Sequence, residues 1–152
     1  MADASYPETK RLRQVPGVGP VTALTYVLTL EDPHRFFSSR AVGSYLGLRP
    51  RQRDSGADEP QLRITKAGDG AVRRLLVGCA HYILGPFGPD SDLRRWGFTL
   101  AQRGGRTAKK RAVVAVARKL AVLLHRLWIT GVPYEPLRKL AVAPCAQVGT
   151  SA

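Results

Sequence analysis

The sequence predicts a mostly α-helical fold: a small helical domain with a helix-hairpin-helix-like motif near its start and a long amphipathic helix near its end. Three observations support this prediction. Apolar residues recur at helical spacing, helix-capping residues stand before several of these segments, and Gly/Pro clusters follow them. A chain of 152 residues with 44% hydrophobic residues is long enough to bury one core. We expect a lead-in at residues 1–11, one domain at residues 12–140 and a frayed tail at residues 141–152.

The first predicted helix follows a glycine-rich turn, Val15-Pro16-Gly17-Val18-Gly19-Pro20. Pro20 suits the first helical position, and Glu31-Asp32-Pro33 ends the helix after Leu30. Apolar residues alternating with glycines before a helix are typical of a helix-hairpin-helix motif. Gly17 and Gly19 would let the backbone approach a phosphate, and the helix N-terminus offers free N–H groups. The alternative is an ordinary corner between helices that needs glycine for its backbone angles.

Three further helices are defined by their capping residues. A polar loop at residues 48–68 separates the first of them from the second, with a strand or hairpin expected around Leu62 to Thr65. The predicted helices run from Ser38 or Ser39 to Leu46, ending at Gly47; from Asp69 as cap to Leu84; and from Ser91 to near Gly104-Gly105.

The clearest predicted helix covers residues 107–130, and Gly131 and Pro133 end it. One apolar stripe along it is formed by residues at steps of three and four: Val113, Val116, Leu120, Leu124 and Leu127. Arg111, Arg118 and His125 fall on the opposite side, so we expect His125 at the surface. His81 is expected instead to pack on its helix beside Cys79 and Tyr82.

The charge of the chain favours nucleic acid as a partner. Lysine and arginine total 24 against 11 aspartate and glutamate, a net charge of +13 spread along the sequence. An anionic membrane surface and a merely soluble basic protein are the alternatives. No segment has the length and apolarity of a membrane span, and the start of the chain has no signal-peptide pattern. Two cysteines make neither a disulfide framework nor a zinc site, so a reducing cytoplasmic location is expected.

A basic loop with one serine, Arg49-Pro50-Arg51-Gln52-Arg53-Asp54-Ser55-Gly56, is the candidate catalytic segment. Guanidinium groups hold phosphate oxygens through forked hydrogen bonds, and Arg63 and Lys66 extend the basic surface. A hydroxyl beside a clamped phosphate is a candidate nucleophile, which makes Ser55 the candidate catalytic residue. Taken alone, Asp-Ser-Gly is also a common turn. Asp54 is not assigned as the general base.

A second basic cluster surrounds the start of the long helix. A helix N-terminus with several cations is a plausible phosphate-binding site, and the alternative is a solvated turn. The candidate DNA- or RNA-binding residues of this cluster are Arg103, Arg106, Lys109, Lys110 and Arg111.

The sequence predicts no metal site of its own. No acidic residue lies in the middle of an apolar strand pattern, which a two-metal nuclease centre would require. The three histidines, His34, His81 and His125, lack the spacing of metal ligands.

Long segments of the chain, from about Leu12 to Leu140, resemble the C-terminal domain of the insertion-sequence-110 transposases, a family that includes the pilin-gene DNA invertases. The segments that carry the resemblance are LRQVPGVGPVTAL, LGLRPRQRDSG, QLRITKAGD, CAHYILGPFGPDSDLRRWG and GGRTAKKRAVVAVARKLAVLLHRLW. Their length and order make the resemblance highly specific.

The resemblance implies a DNA recombinase guided by a bridge RNA. Members of the family that the chain resembles carry a RuvC-like domain whose four acidic residues bind magnesium, and a helical domain with a nucleophilic serine. The two domains form a composite site across the subunits of an oligomer. The family serine maps onto Ser55, which would attack a DNA phosphate and form a covalent phosphoserine intermediate.

The sequence departs from the family pattern because we find no acidic RuvC-like domain in it. We therefore expect magnesium only through such a domain, supplied in trans or by another subunit, and little or no cleavage by this chain alone. The expected partners are DNA and a guide RNA, and no membrane is expected as a partner. The expected location is the bacterial cytoplasm, near the nucleoid. The alternative is a non-catalytic nucleic-acid-binding module, or a relic of a decayed transposon.

Overall fold

The structure, a computed structural model, describes residues 5–51 and 64–138, and this part of the chain is mostly helical. A 3-10 turn, Pro33–Arg35, follows the second helix, and an isolated antiparallel bridge joins Pro50 to Ile64. The predicted helical fold class is confirmed. The α-helices of the described residues are α1 (Glu8–Leu12), α2 (Pro20–Leu30), α3 (Ser39–Tyr45), α4 (Gly70–Leu84), α5 (Asp92–Ala101) and α6 (Ala108–Thr130).

Local capping chemistry sets where several helices begin. The Asp69 carboxylate accepts a hydrogen bond from the Ala71 N–H at 2.7 Å, and the Ser91 hydroxyl accepts one from the Arg94 N–H at 3.1 Å. The Ser38 hydroxyl accepts from the Ala41 N–H at 3.3 Å, so Ser38 rather than Ser39 caps α3. Pro20 takes the first position of α2, as predicted.

Helix α6 is the element against which most of the others pack. Helices α1, α3, α4 and α5 and the 3-10 turn all contact it. The predicted apolar stripe is largely confirmed, since Val116, Leu120 and Leu124 are fully buried while Val113 is half-buried. The burial extends beyond that stripe, and the further buried residues of the helix include Ala112, Ala117 and Ala121. Small side chains at these positions let neighbouring helices approach α6 closely.

His125 is buried, so the prediction of a surface position is wrong. Its exposed fraction is 1%, and its Nε2 atom lies 2.8 Å from the carbonyl oxygen of Pro33. A carbonyl oxygen can only accept, so Nε2 of His125 carries a proton and donates it in this bond. The Ser39 hydroxyl lies 2.8 Å from Nδ1 and forms the second hydrogen bond of the ring. The 3-10 turn and α3 cover this side of α6, which helical periodicity alone does not reveal.

The surroundings of His81 also differ from the prediction. His81 is exposed, and Tyr82 beside it is 43% exposed. Cys79 is buried, and its thiol donates to the carbonyl oxygen of Gly17 at 3.1 Å. Burial raises the pKa of the Cys79 thiol. The cysteine therefore joins α4 to the glycine turn, whereas the histidine faces solvent.

Both ends of the described chain pack onto the helical core. Helix α1, which the sequence did not predict, buries Leu12 completely. After α6, the Tyr134 N–H donates to the Gln14 side chain at 2.8 Å, and the Asp92 N–H donates to the Pro136 carbonyl oxygen at 2.7 Å. Residues 131–138 therefore return towards the segment that follows α1 and towards the start of α5.

Replacing His125 with alanine is expected to lower the free energy of unfolding by about 2–4 kcal/mol. The variant leaves a cavity beside α3 and removes the partners of Ser39 and Pro33. Urea unfolding followed by circular dichroism measures the change. Arg126→Ala is the matched control. Arg126 is the exposed neighbour of His125 on the same helix, so its replacement should change the free energy of unfolding by less than about 0.5 kcal/mol. Equal destabilisation in the two variants would show that the buried hydrogen bonds of His125 contribute little.

Candidate functional site

Two short segments, residues 47–51 and 64–68, pair with each other and form what we call the loop base. The Thr65 N–H donates to the Arg49 carbonyl oxygen at 3.0 Å, and the Lys66 N–H donates to the Gly47 carbonyl oxygen at 3.1 Å. The bridge between Pro50 and Ile64 continues this pairing. The strand expected around Leu62 to Thr65 corresponds to this bridge in its described residues, while Leu62 lies outside them.

Two glycines allow the segments of the loop base to lie in backbone contact. Gly47 and Gly68 have φ values of +73° and +77°. A Cβ atom at Gly47 would clash with the carbonyl oxygen of Ala67, and one at Gly68 would clash with that of Tyr45. The left-handed conformation and the close contact both require glycine at these two positions. The loop base is therefore fixed directly to the end of α3.

Arg73 of α4 holds the loop base from the other side. Its Nη1 atom donates to the carbonyl oxygens of Ala67 at 2.6 Å and Leu46 at 3.2 Å. This guanidinium is therefore engaged by the protein itself. The sequence offered no signal that would separate this structural arginine from the arginines proposed to bind phosphate.

The predicted basic residues at the loop base, Arg49, Arg51 and Lys66, are exposed. Lys66 has φ +57°, a left-handed conformation that costs a non-glycine residue about 1 kcal/mol or more. The backbone pairing brings the segments that carry Arg49 and Lys66 side by side. The candidate nucleophile Ser55, together with Arg53 and Arg63, lies outside the described residues, between the two segments in sequence.

The second predicted cluster lies around the start of α6, and its five basic side chains are exposed. Gly104 and Gly105 both have positive φ, and Thr107 precedes the helix without a side-chain hydrogen bond to it. The first turn of α6 contains no acidic residue. The N–H groups of that turn and the positive end of the helix dipole therefore lie among cations.

The direction of α3 relates the two basic regions to each other. The start of α3 is tied to His125, whereas Gly43 in its middle packs against the side chain of Arg118. Helix α3 therefore runs antiparallel to α6 and points towards the N-terminal half of that helix. The loop base, which carries the first basic region, follows α3 directly, so its position depends on that direction.

The structure separates the roles of the two glycines in the turn before α2. Gly17 has φ +94°, and a Cβ atom there would lie 2.8 Å from a ring carbon of Tyr82. The close contact with Tyr82 therefore explains why a glycine stands at position 17, in line with the alternative of an ordinary corner between helices. A Cβ atom at Gly19 would meet nothing within 4 Å, and no side chain caps α2. Packing therefore leaves Gly19 free for the predicted phosphate contact.

Not every exposed cation is free to bind a phosphate. Arg95 pairs with Asp90 at 2.6 Å, and this guanidinium lowers the pKa of the Asp90 carboxyl. Arg94 donates to the carbonyl oxygen of Ile83 at 2.7 Å and thereby supports the end of α4. Charge alone therefore does not identify the binding residues.

Metal-ligand clusters and membrane-spanning helices are both absent from residues 5–51 and 64–138. This part of the chain shows no cluster of three or more His, Cys, Asp or Glu that could hold a metal ion. None of the helices there combines the length and apolarity needed to cross a membrane.

Comparison with known proteins matches residues 9–92 to the model of the transposase IS116/IS110/IS902 family. The transposase for insertion sequence element IS1111A from Coxiella burnetii is 36% identical over 121 residues, which cover 79% of this chain and 32% of that protein. A probable family 20 transposase from Pseudomonas aeruginosa is 34% identical over 128 residues, covering 84% of this chain and 37% of that protein. The pilin gene-inverting protein of Moraxella lacunata is 26% identical over 125 residues, covering 82% of this chain and 38% of that protein.

The chain spans about a third of the length of the curated relatives that it matches. The family match runs from α1 to the start of α5, and it includes the glycine turn and both segments of the loop base. It covers more than half of the chain, so this chain belongs to the IS116/IS110/IS902 transposase family.

Proposed function

We propose that this chain is the DNA-binding, serine-bearing part of a DNA recombinase of the transposase type. The observation that carries the proposal is the loop base, which places exposed Arg49, Arg51 and Lys66 beside the ends of the segment that contains Ser55. The named relatives, which are transposases and a pilin gene-inverting protein, support the same class of reaction.

In the proposed reaction, the Ser55 hydroxyl attacks a phosphorus atom of the DNA backbone. A bond forms between the serine oxygen and phosphorus, and the bond from phosphorus to one deoxyribose oxygen breaks. The serine proton passes to a base, and the released sugar oxygen takes up a proton. Arginines around the loop base would stabilise the negative charge on the five-coordinate phosphorus. Strand exchange reverses the step, so that a new sugar oxygen replaces the serine.

The proposal assigns the other partners from the family resemblance. DNA is the substrate, a bridge RNA is the guide, and an oligomer or a separate RuvC-like domain completes the site. Magnesium, held by the acidic residues of that domain, would activate the phosphate towards attack. The proposed setting is the bacterial cytoplasm, near the nucleoid.

The start of α6 is proposed to hold the DNA backbone rather than to take part in the chemistry. Its cations are exposed, and the first turn contains no carboxylate that would repel a phosphate. Such contacts position a duplex without reading its sequence. The loop-base arginines are expected to matter more for strand cleavage than for overall affinity.

Lys109→Ala and Lys110→Ala are each expected to weaken duplex binding and to reduce the salt dependence. Removing one cation that neutralises a phosphate should lower the slope of log affinity against log salt by about 0.9. Fluorescence anisotropy with labelled duplex DNA at several salt concentrations measures both effects. The matched control is Arg95→Ala, which also removes one exposed positive charge but one already paired with Asp90. If all three variants change the slope equally, the specific role of the α6 start is rejected.

Gly19→Ala is expected to weaken duplex binding about tenfold, because the added methyl group would keep the phosphate from the backbone N–H and so prevent one charge-assisted N–H···O hydrogen bond. The added methyl group meets no protein atom within 4 Å, so the stability of the fold should change by less than about 1 kcal/mol. Gly78→Ala is the matched control, because its methyl group also enters open space but lies on α4. Unchanged affinity in Gly19→Ala would contradict a close backbone approach to DNA at this turn.

Ser55→Ala is expected to abolish a covalent protein–DNA adduct. The chain is mixed with a separately supplied RuvC-like domain, magnesium, guide RNA and target DNA, and the adduct is detected on a denaturing gel. Ser44→Ala, at an exposed position of α3, should still form it. An adduct that persists in Ser55→Ala rejects this nucleophile. Salt-dependent DNA binding without any adduct in the parent chain supports a non-catalytic binding module instead.

A further inference from the structure

Residues 33–39, from the 3-10 turn to the first residue of α3, are held at both ends by one buried side chain, and we call them the aromatic loop. His125 bonds to the Pro33 carbonyl oxygen through Nε2 and to the Ser39 hydroxyl through Nδ1, both at 2.8 Å. The Asp32 carboxylate also accepts from the His34 N–H at 2.9 Å. These hydrogen bonds hold the backbone of the aromatic loop near both of its ends.

Two consecutive phenylalanines of the aromatic loop have opposite surroundings. Phe36 is half-buried and packs edge-on against His125 and Tyr45, at centroid distances of 5.7 Å and 5.2 Å. Phe37 is 100% exposed, more than any other large apolar side chain of the described residues. The packing of Phe36 directs its neighbour outward, so the exposure of Phe37 follows from the construction of the loop.

The guanidinium of Arg35 lies over the rings of Phe36 and of Tyr45 in α3. The guanidinium carbon of Arg35 is 5.0 Å from the centroid of Phe36 and 4.8 Å from that of Tyr45. The described residues offer the Arg35 side chain no hydrogen bond or ion pair, so its N–H donors remain available on that side of the molecule. Arg40, at the start of α3, is also exposed. Glu31 and Asp32 lie just before the loop, and their negative charges offset those of the two arginines. Arg35 and Arg40 would therefore bind a phosphate through direct contacts rather than through a long-range positive potential.

We propose that Phe37 stacks on an unpaired nucleobase while Arg35 binds the neighbouring phosphate. Phe37 lies two residues after Arg35 and three residues before Arg40, and all three side chains are exposed. Aromatic rings combined with cations are the groups with which proteins hold single-stranded nucleic acid. Stacking is sequence-tolerant, since every base has a flat face. The net charge of +13 favours a polyanion over an apolar protein surface as the partner. This inference rests on the proposed function, and it adds an interaction with unpaired strands to the phosphate contacts proposed above.

The test compares three probes at one salt concentration: a short oligothymidylate, an abasic oligonucleotide of the same length, and a duplex. Phe37→Ala should weaken binding of the oligothymidylate roughly 5- to 100-fold, the range expected when one base no longer stacks on an aromatic ring, and leave the other two probes unchanged. Phe37→Trp should preserve affinity, and oligothymidylate should quench its new indole fluorescence. Phe87→Ala is the matched control, because Phe87 is 84% exposed in a different loop. The Phe87→Ala variant should bind every probe with the same affinity as the parent chain.

Four results would overturn the proposal. Equally weakened binding of the oligothymidylate and of the abasic probe would show that Phe37 does not contact bases. Unchanged binding of the oligothymidylate by Phe37→Ala, with duplex binding retained, would reject stacking and leave the proposed function intact. If no probe binds the parent chain, the proposed function itself fails. A sedimentation change from dimer to monomer in Phe37→Ala, without loss of DNA binding, would assign the ring to an interface between two copies of the chain.

Because Phe37 touches no core residue, circular dichroism of the variant should match that of the parent.

Discussion

The burial of α6 from several sides is the constraint on which the rest of the structure depends. The helix is 23 residues long, and its fully buried residues include Val116, Leu120 and Leu124. Hydrophobic burial holds α3, α4 and α5 against it, while the Tyr26 hydroxyl donates to the Ala121 carbonyl oxygen at 2.6 Å. Burial raises the pKa of that phenol well above its ordinary range, so the hydroxyl stays protonated and the bond persists.

Helix α3 links the two surfaces proposed to contact nucleic acid. It has only seven residues, and its position is fixed by His125 at one end and by the Arg118 side chain near its middle. The aromatic loop leads into α3, and the loop base follows directly from its end. A short helix held by one buried histidine therefore lies between the aromatic loop and the loop base.

The large positive charge of the chain is divided between structural and available cations. Arg73 donates hydrogen bonds to backbone carbonyl oxygens at the loop base, and Arg94 donates to those at the end of α4. Arg95 is paired with a carboxylate. The lysines and arginine of the first turn of α6 are exposed and have no acidic neighbour within that turn. This division explains why a count of basic residues indicates the kind of partner but not where the partner binds.

The sequence by itself predicted helices α2 to α6 and several of their caps. Caps depend on residues close in sequence, so Asp69 and Ser91 could be assigned from their side chains alone. The long apolar stripe likewise located α6, and the excess of basic residues favoured nucleic acid. The tertiary structure alone decided which side of α6 is covered, because α3 and the 3-10 turn come from distant parts of the chain. That packing buried His125, and the contact of Tyr82 with the turn before α2 gave Gly17 a structural role. Both outcomes depend on interactions between residues far apart in sequence.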